Sequence, residues 1–287
     1  MLFKDFSDRF LSICADNGNS AGELNQKHMS LKNHLVPFFG AMELDAIGIP
    51  EVRAYSKAKL SDGLAAKTIN NHLLVLSRFF TIAREERLLA APPFTVKTLP
   101  IDFTEARYLE SGEVARLISA ARNDADPKWA TLILLGLHTG MRIGEMLALD
   151  WADVNLFSKT INVKHSLCRK SGIKTTKNKK TRNVTLTSQA HEALMSMPNK
   201  AGRVFNCVYE TAYVAINRIA DRAGLPDVGW HTLRHTFASI LVMESVPLLT
   251  VSRLLGHSGT RITERYAHLT REKQTDAMDV LSVALGG

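Results

Sequence analysis

The sequence predicts a mainly α-helical protein with two domains, the first helical throughout and the second α-rich with a small antiparallel β-sheet or hairpin. Three observations predict this fold class. Apolar residues recur at helical spacing along most of the 287 residues. Two β-type segments bracket one basic stretch in the second half of the chain. Prolines at positions 92, 93 and 100 interrupt the helical patterns between the two halves.

The first 90 residues have the pattern of amphipathic helices. Phe6 and Phe10 lie one helical turn apart near the N-terminus, and the strongest apolar periodicity covers residues 69–83. Thr68 precedes that run and is expected to cap the helix. Together these elements predict an N-terminal helical domain over residues 1–92.

A linker is predicted over residues 93–104, because three of the nine prolines fall within residues 92–100. The second domain then covers residues 105–287, and Ser111 is the expected cap of its first helix. The helical patterns of this domain are 111–121, 129–137, 140–147, 188–197, 209–223, 230–244, 248–255, 260–268 and 270–285.

The most basic stretch of the chain runs from Lys164 to Arg182, with eight Lys and Arg and no acidic residue. β-type residues precede it at 160–163 and follow it at 182–186, which predicts a basic β-hairpin projecting from a small sheet. A solvated surface loop is the alternative, since like charges repel one another unless an anion neutralises them.

Composition indicates a folded protein with a polyanionic partner. The chain is 45% hydrophobic and 22% charged, enough apolar material for a buried core. Its 36 Lys and Arg against 28 Asp and Glu give a net charge of +8, of which residues 1–104 contribute only +1. Such a balance favours nucleic acid, although many proteins with a pI near 9.4 bind none.

Several function classes are excluded by missing patterns. The three cysteines lie far apart without a CxxC pair, so neither a disulfide framework nor a cysteine zinc site is expected. The sequence has no GxxxxGK[ST] or GxGxxG phosphate loop. His231 and His235 are four apart as in zinc proteases, but Thr232 stands where the base would be, so no metal or cofactor is expected. Without a signal peptide or an apolar run of about 20 residues, a soluble cytoplasmic protein is expected.

What remains is a set of cationic and neutral donors suited to phosphate chemistry. Two arginines, Arg142 and Arg234, can bind two non-bridging phosphate oxygens and stay charged. A tyrosine oxygen such as that of Tyr266 can attack phosphorus and form a stable ester. Each residue also has a structural interpretation: Arg142 could pair with Glu145, His231 could be a structural histidine, and Tyr266 a half-buried aromatic.

Four segments carry these residues in a fixed order, at 139–145, 231–238, 254–258 and 264–268. They read TGMRIGE, HTLRHTFA, LLGHS and ERYAH, and they resemble the tyrosine recombinases, also called the phage integrase family. The resemblance covers essentially all of residues 105–287. The first 90 residues are similar to the family's helical core-site DNA-binding domain, most clearly where TINNHL leads into the long helix.

The resemblance implies a role for each matching residue. Arg142 and Arg234 hold the scissile phosphate, and His231 is a general base or acid near the nucleophile. His257 hydrogen-bonds a non-bridging oxygen, and Tyr266 attacks phosphorus to form a 3′-phosphotyrosyl link and release a 5′-hydroxyl. A hairpin lysine protonates the leaving oxygen, and Lys177 fits best by position. Close competitors for that role are Lys174, Lys179 and Lys180, and Glu145 is expected to support the site.

The implied function is a site-specific DNA recombinase that integrates or excises a mobile element in the cytoplasm, at the nucleoid. A Xer-like chromosome or plasmid resolution enzyme, a type IB topoisomerase-like activity and a non-catalytic DNA-binding protein are the alternatives. The implied partners are double-stranded DNA, a homotetramer joined through the helix at 270–285, and accessory DNA-bending proteins, with no membrane. That helix could also fold back on its own domain. The helical pattern begins close to Met1, which indicates a Xer-like or truncated architecture without an arm-binding domain.

Overall fold

A computed structural model describes residues 1–89, 97–101, 105–169, 172–175, 181–257, 259, 263–273 and 285. The chain divides into two compact units, Met1–Thr104 and Glu105–Gly287, each with a core of its own. Most of the predicted linker, Lys177 and most of the predicted C-terminal helix lie outside the described residues. Within the described ranges, no helix combines the length and apolar character needed to cross a membrane.

The first unit is helical, and phenylalanines fill its core. Phe3 stacks on Phe79 with ring centroids 4.2 Å apart, and Phe6 and Phe10 pack against the same ring. This packing is the reason for the periodicity of its first and last helices. The helices are α1 (Phe3–Asp16), α2 (Ala21–Ser30), a π-helical stretch (Leu31–Leu35), α3 (Val36–Phe39), α4 (Ile49–Ser61) and α5 (Ala66–Glu85).

Two side chains of α5 connect it to other segments of this unit through polar contacts. His72 Nδ1 lies 2.8 Å from the hydroxyl oxygen of Tyr55, and both side chains are buried. The Asn70 side chain donates to the carbonyl of Leu99 and accepts from its N–H, so it fixes the backbone there. The expected cap was wrong: α5 begins one turn earlier, and Ala65 is its N-cap residue.

The second unit is an α-rich layer around a buried central helix. That helix, α7 (Lys128–Thr139), is apolar on nearly every side, because neighbours pack against it on several faces. Glu110 is the N-cap residue of the first helix rather than the expected Ser111. The helices are α6 (Ser111–Arg122), α7 (Lys128–Thr139), α8 (Ile143–Leu147), α9 (Ser188–Met195), α10 (Tyr209–Arg222), α11 (Trp230–Met243) and α12 (Leu248–Leu255). A 3₁₀ segment covers Glu264–Lys273.

Two small antiparallel sheets complete the second unit, which confirms the predicted fold class. The strands are β1 (Val154–Asn155), β2 (Thr160–Val163), β3 (His165–Cys168), β4 (Gly172–Thr175) and β5 (Arg182–Thr185). One sheet has the order β1-β2-β5, and β3 pairs with β4 in the other. Within the described part of the basic stretch, residues 165–168 and 172–175 form β3 and β4, and Arg182 begins β5, where it pairs with Val163 of β2.

Candidate active site

Arg142 lies in a tight turn between α7 and α8. Gly140 ends α7 with φ at +59°, in the left-handed region that favours glycine. A Cβ atom there would come within 2.5 Å of the Phe237 ring and 2.9 Å of Leu255. The chain then becomes extended at Arg142, the N-cap residue of α8. The glycine thus lets α11 and α12 approach the turn that carries the arginine.

The buried carboxylate of Glu145 joins two arginines. Its Oε1 accepts from Arg142 Nη1 at 2.9 Å, and it binds Arg182 through both oxygens at 3.1 and 2.7 Å. Burial alone would raise the pKa of Glu145, but the hydrogen bonds and charge of Arg182, and then those of Arg142, outweigh it. The result is a pKa of about 2, so the group is an anion at neutral pH.

Arg182 is a member of this cluster that the sequence patterns missed. It was predicted only as the last charge of the basic stretch, yet its side chain is mostly buried. Gly256, with φ at +66°, lies against it: a Cβ there would be 2.9 Å from Arg182 Nη1. The contact with Glu145 spans 37 positions, so no local spacing could have indicated it.

Arg234 is 6% exposed and holds two distant turns together. Its Nη1 donates to the Gly140 carbonyl at 2.6 Å, and its Nη2 donates to the Leu255 carbonyl at 2.8 Å. Burial, followed by the charge of Arg142, lowers the pKa of Arg234 to about 9, so it is still a cation at neutral pH. Because a guanidinium has five N–H groups, donors remain for an anion.

His231 and His257 come from different parts of the second unit, and the charges of Arg234 and Arg142 act on both. His231 is an exposed residue in the first turn of α11; partial removal from water, then Arg234 and Arg142, lower its pKa. His257 follows the C-terminus of α12, and its Nδ1 lies 2.8 Å from Thr263 Oγ1. Burial, then the charges of Arg234 and Arg142, lower the pKa of His257 to about 4. At neutral pH His257 is uncharged, and the Thr263 contact leaves its Nε2 for another partner.

Tyr266, on the 3₁₀ segment, is 3% exposed and packs in a small core with α11 and α12. Its hydroxyl oxygen lies 2.5 Å from Nδ1 of His235. The sequence patterns gave His235 no role beyond a rejected metal site. The one signal in the sequence was its spacing of four residues from His231. Among the described residues, no group of three His, Cys, Asp or Glu side chains could hold a metal ion.

Five of the six residues predicted for the site are described, and the electrostatic couplings connect them. The charge of Arg142 acts on His231, Arg234 and His257, and the charge of Arg234 acts on Tyr266. Lys177 lies outside the described residues. The described groups form a cationic cluster with one neutralising carboxylate and a tyrosine hydroxyl at its edge. Such a cluster can bind a phosphodiester and present an oxygen nucleophile to it.

Known proteins with similar sequences are named as recombinases or integrases. A model of the phage integrase family matches residues 107–273. A protein named "Tyrosine recombinase XerC-like", from Caldanaerobacter subterraneus subsp. tengcongensis, is 27% identical and matches 84% of this chain and 72% of its own length. The ICEBs1 integrase of Bacillus subtilis is 25% identical over 95% of this chain and 80% of its own length.

Solved structures share the fold. The Tn1549 transposon integrase in complex with transposon right end DNA matches with a TM-score of 0.84 and 18% identity, covering 100% of both chains. The catalytic domain of the bacteriophage HP1 integrase matches with a TM-score of 0.51 and 29% identity, over 63% of this chain and 98% of that domain.

Proposed function

This chain belongs to the phage integrase family of tyrosine recombinases, and we propose that it is a site-specific DNA recombinase that integrates or excises a mobile element. Its substrate is double-stranded DNA. The observation that supports this function is the electrostatic coupling of the Tyr266 hydroxyl, bonded to His235, with Arg234, which is in turn coupled to Arg142. An oxygen nucleophile and two permanent cations are what cleavage of a phosphodiester requires.

The phosphate is bound by the cationic groups. Arg142, with its side chain 41% exposed, keeps donors available beyond its bond to Glu145. Arg234 contributes the N–H groups that the two carbonyls leave free. His257, uncharged at neutral pH, donates from Nε2 to a non-bridging oxygen. The charge that builds up on these oxygens in the transition state is thereby neutralised without a reorganisation of solvent.

Cleavage exchanges one phosphate ester for another. The Tyr266 oxygen forms a bond to phosphorus, the bond between phosphorus and the 5′ oxygen breaks, and the phenolic proton passes to a base, a role that we assign to His231. The leaving 5′ oxygen takes up a proton, which we assign to Lys177, with His231 assisting as acid or base. Because the 3′-phosphotyrosyl ester keeps the bond energy, a 5′-hydroxyl from another strand can reverse the step and complete strand exchange.

The mobile-element role is supported by relatives that are named integrases, the ICEBs1 protein matching across 95% of this chain. A Xer-like resolution enzyme is the second candidate, because the XerC-like protein matches across 84%. A type IB topoisomerase-like activity would relax any plasmid, whereas a recombinase requires its own site. We assign to the active form a tetramer on two DNA duplexes, joined through residues 270–285, with accessory DNA-bending proteins as further partners.

The test uses a nicked suicide duplex built from the DNA that flanks the gene. Wild type is expected to form a covalent protein–DNA adduct that survives on a denaturing gel, and Tyr266→Phe to form none. An adduct in Tyr266→Phe would refute the nucleophile, and no adduct in wild type would favour a DNA-binding protein without catalysis. Relaxation of a plasmid that lacks the flanking sequence would favour the topoisomerase.

The general acid is tested with the leaving group. Lys177→Ala is expected to slow cleavage of the ordinary duplex and to recover with a 5′-thio leaving group, which needs no proton. Lys174→Ala, Lys179→Ala and Lys180→Ala are the matched controls. Recovery in one of these controls instead would move the role to that lysine.

A further inference from the structure

His235 makes the one contact to the Tyr266 hydroxyl oxygen in the described part of the chain. The two rings have centroids 5.9 Å apart and planes inclined by 53°, so the contact runs through the ring edges. Residues 235 and 266 come from different elements, α11 and the 3₁₀ segment. Nothing in the sequence pattern or the proposed mechanism gives His235 a function.

The two pKa values determine the protonation states of the partners in this hydrogen bond. Burial, then the charges of Arg265, His231 and Arg234, lower the pKa of His235 to about 4. Burial raises the pKa of Tyr266, although Arg265 and Arg234 oppose this. At neutral pH the imidazole is therefore uncharged and the phenol protonated. A neutral imidazole can carry its proton on either nitrogen, and we assign it to Nε2, because the described residues offer the Tyr266 hydroxyl no acceptor other than Nδ1.

The acceptor sits on a rigid element. Arg234, the preceding residue, is bonded to the Gly140 and Leu255 carbonyls. Thr236, the following residue, is completely buried, donates to the Thr232 carbonyl and accepts from the Leu109 N–H. The backbone of α11 is thus fixed on both sides of His235. A fixed acceptor determines where the phenol oxygen lies, because the ring of Tyr266 can otherwise rotate about its side-chain bonds.

The geometry points to His235 as the positioning residue of the nucleophile: its Nδ1 accepts from the Tyr266 hydroxyl and holds that oxygen beside α11, the helix that also carries Arg234. This inference rests on the proposed function of Tyr266. His235 adds no covalent step. It acts before the attack, by restricting the hydroxyl to one orientation, and the hydrogen bond is given up as the oxygen bonds to phosphorus. Restriction of a nucleophile in this way raises the fraction of productive encounters.

Two near-isosteric substitutions separate positioning from simple packing. The Oδ1 of His235→Asn lies near the place of Nδ1 and can accept the same hydrogen bond. The amide of His235→Gln lies near the place of Nε2 instead, and His235→Leu removes every acceptor. His191→Leu is the matched control, because His191, on α9, contacts the Leu156 carbonyl and takes no part in the site.

The first readout needs no DNA. Tyrosine labelled with ¹³C at Cζ gives five resonances, one per tyrosine, and Tyr266→Phe identifies the one of interest. His235→Asn is expected to keep that chemical shift close to wild type, while His235→Gln and His235→Leu move it towards the value of an unbonded phenol. An unchanged shift in all three variants would overturn the inference.

The second readout is the single-turnover rate of adduct formation on the nicked duplex, together with the Kd for that duplex. His235→Leu and His235→Gln are expected to slow the adduct by about tenfold or more, within the range that orientation contributes, at unchanged Kd. His235→Asn is expected to stay within about threefold of wild type, like His191→Leu. A reaction of His235→Leu as fast as that of wild type or faster would overturn the inference, and so would equal losses of rate in His235→Asn and His235→Gln.

If wild type forms no adduct, the proposed function fails and the role of His235 with it. If wild type reacts and His235→Leu is not slowed, only the inference fails.

Discussion

At the scale of single residues, the two arginines of the site are held by different kinds of partner. Arg142 shares the buried Glu145 carboxylate with Arg182, whereas Arg234 is held by two backbone carbonyls. Glu145 is therefore the one negative charge that the described residues place among these cations. Its removal would leave Arg142 without its anchor and Arg182 buried without a counter-charge.

Glu145→Gln is expected to reduce the rate of adduct formation by about 100-fold, the usual loss when one group that stabilises a transition state is displaced. The matched control is Asp124→Asn. Asp124 is also a buried carboxylate, shared by Arg218 and Arg222, but it lies outside the site. Both variants are expected to lose stability, and only Glu145→Gln to lose activity beyond that loss. Equal activity losses at equal fractions folded would contradict the role of Glu145.

His72, buried at 4% exposure, predicts a pH dependence for the first unit. Burial, then His34 and Lys59, lower its pKa from 6.5 to about 4. The unfolded chain therefore takes up a proton near pH 6.5 and the folded chain only near pH 4. The stabilisation that depends on neutral His72 is fully present above pH 6.5. As the pH falls to about 4, the free energy of unfolding decreases by about 3 kcal/mol.

The measurement is urea unfolding followed by far-ultraviolet circular dichroism between pH 7 and pH 4. His72→Asn keeps an acceptor for Tyr55 but cannot titrate, so it is expected to lose less stability over this range than wild type. His28→Asn, an exposed change on α2, is expected to follow wild type. A slope for His72→Asn as steep as that of wild type would contradict the assignment.

At the residue scale, the sequence predicted the candidate site residues that lie within short local motifs, and it did not predict those that depend on distant contacts. Arg142, His231, Arg234, His257 and Tyr266 stood out because each occurs within a short recognisable segment. Arg182 and His235 did not, because their contacts join positions 37 and 31 apart, and only the folded chain brings them together. The predictions of Thr68 and Ser111 as N-cap residues were wrong. Helix α5 begins before Thr68, and α6 begins at Ser111 itself, so both residues lie inside the helix that they were expected to cap.

At the scale of elements, the turn from α7 to α8 carries the most demanding geometry. Helix existence followed from apolar periodicity, and α12 even has the predicted bounds, Leu248–Leu255. Apolar periodicity could not predict that α7, α11 and α12 approach one another closely at Gly140. This approach depends on the side chains of Phe237 and Leu255, which come from the other two helices. Residues 264–268 of the predicted helix at 260–268 belong instead to a 3₁₀ segment that continues to Lys273, and residues 260–262 lie outside the described part of the chain.

Gly140→Ala is expected to lower the free energy of unfolding by about 3 kcal/mol or more. About 1 kcal/mol comes from the left-handed backbone, and the rest from overlap with Phe237 and Leu255. Gly202→Ala is the matched control, with φ at +66° but no atom within 4 Å of the added Cβ. It is expected to lose only the backbone part, about 1 kcal/mol.

Tryptophan fluorescence during urea unfolding measures both variants. All three tryptophans, Trp129, Trp151 and Trp230, belong to the second unit, so their emission reports that unit alone. Equal losses for the two glycine variants would contradict the packing described at Gly140.

At the scale of the whole molecule, two units with separate cores divide the charge unequally. The net charge of +8 is concentrated in residues 105–287, which carry +7. The core of the second unit runs from Leu109 to Leu233, with a satellite core around Tyr266. A unit that contains its own apolar core can fold by itself.

A fragment of residues 105–287 is expected to unfold in urea in one cooperative transition, reported by its three tryptophans. It is also expected to retain the greater part of the salt dependence of non-specific DNA binding, because most of the positive charge is in this unit. A gradual, non-cooperative shift of emission would contradict an independent second domain. Binding that is insensitive to salt would contradict the assignment of its charge to phosphate contacts.

The two carbonyls bound by Arg234 have a consequence for natural selection. Side chains that serve a reaction usually lower stability, so their loss tends to make a protein more robust. Loss of Arg234 would instead leave the buried carbonyls of Gly140 and Leu255 unpaired, at about 1–3 kcal/mol each. Selection for a folded chain alone would therefore preserve this arginine. A descendant that had abandoned recombination could keep Arg234 long after Tyr266 had drifted, so its persistence would reveal less about activity than that of the tyrosine.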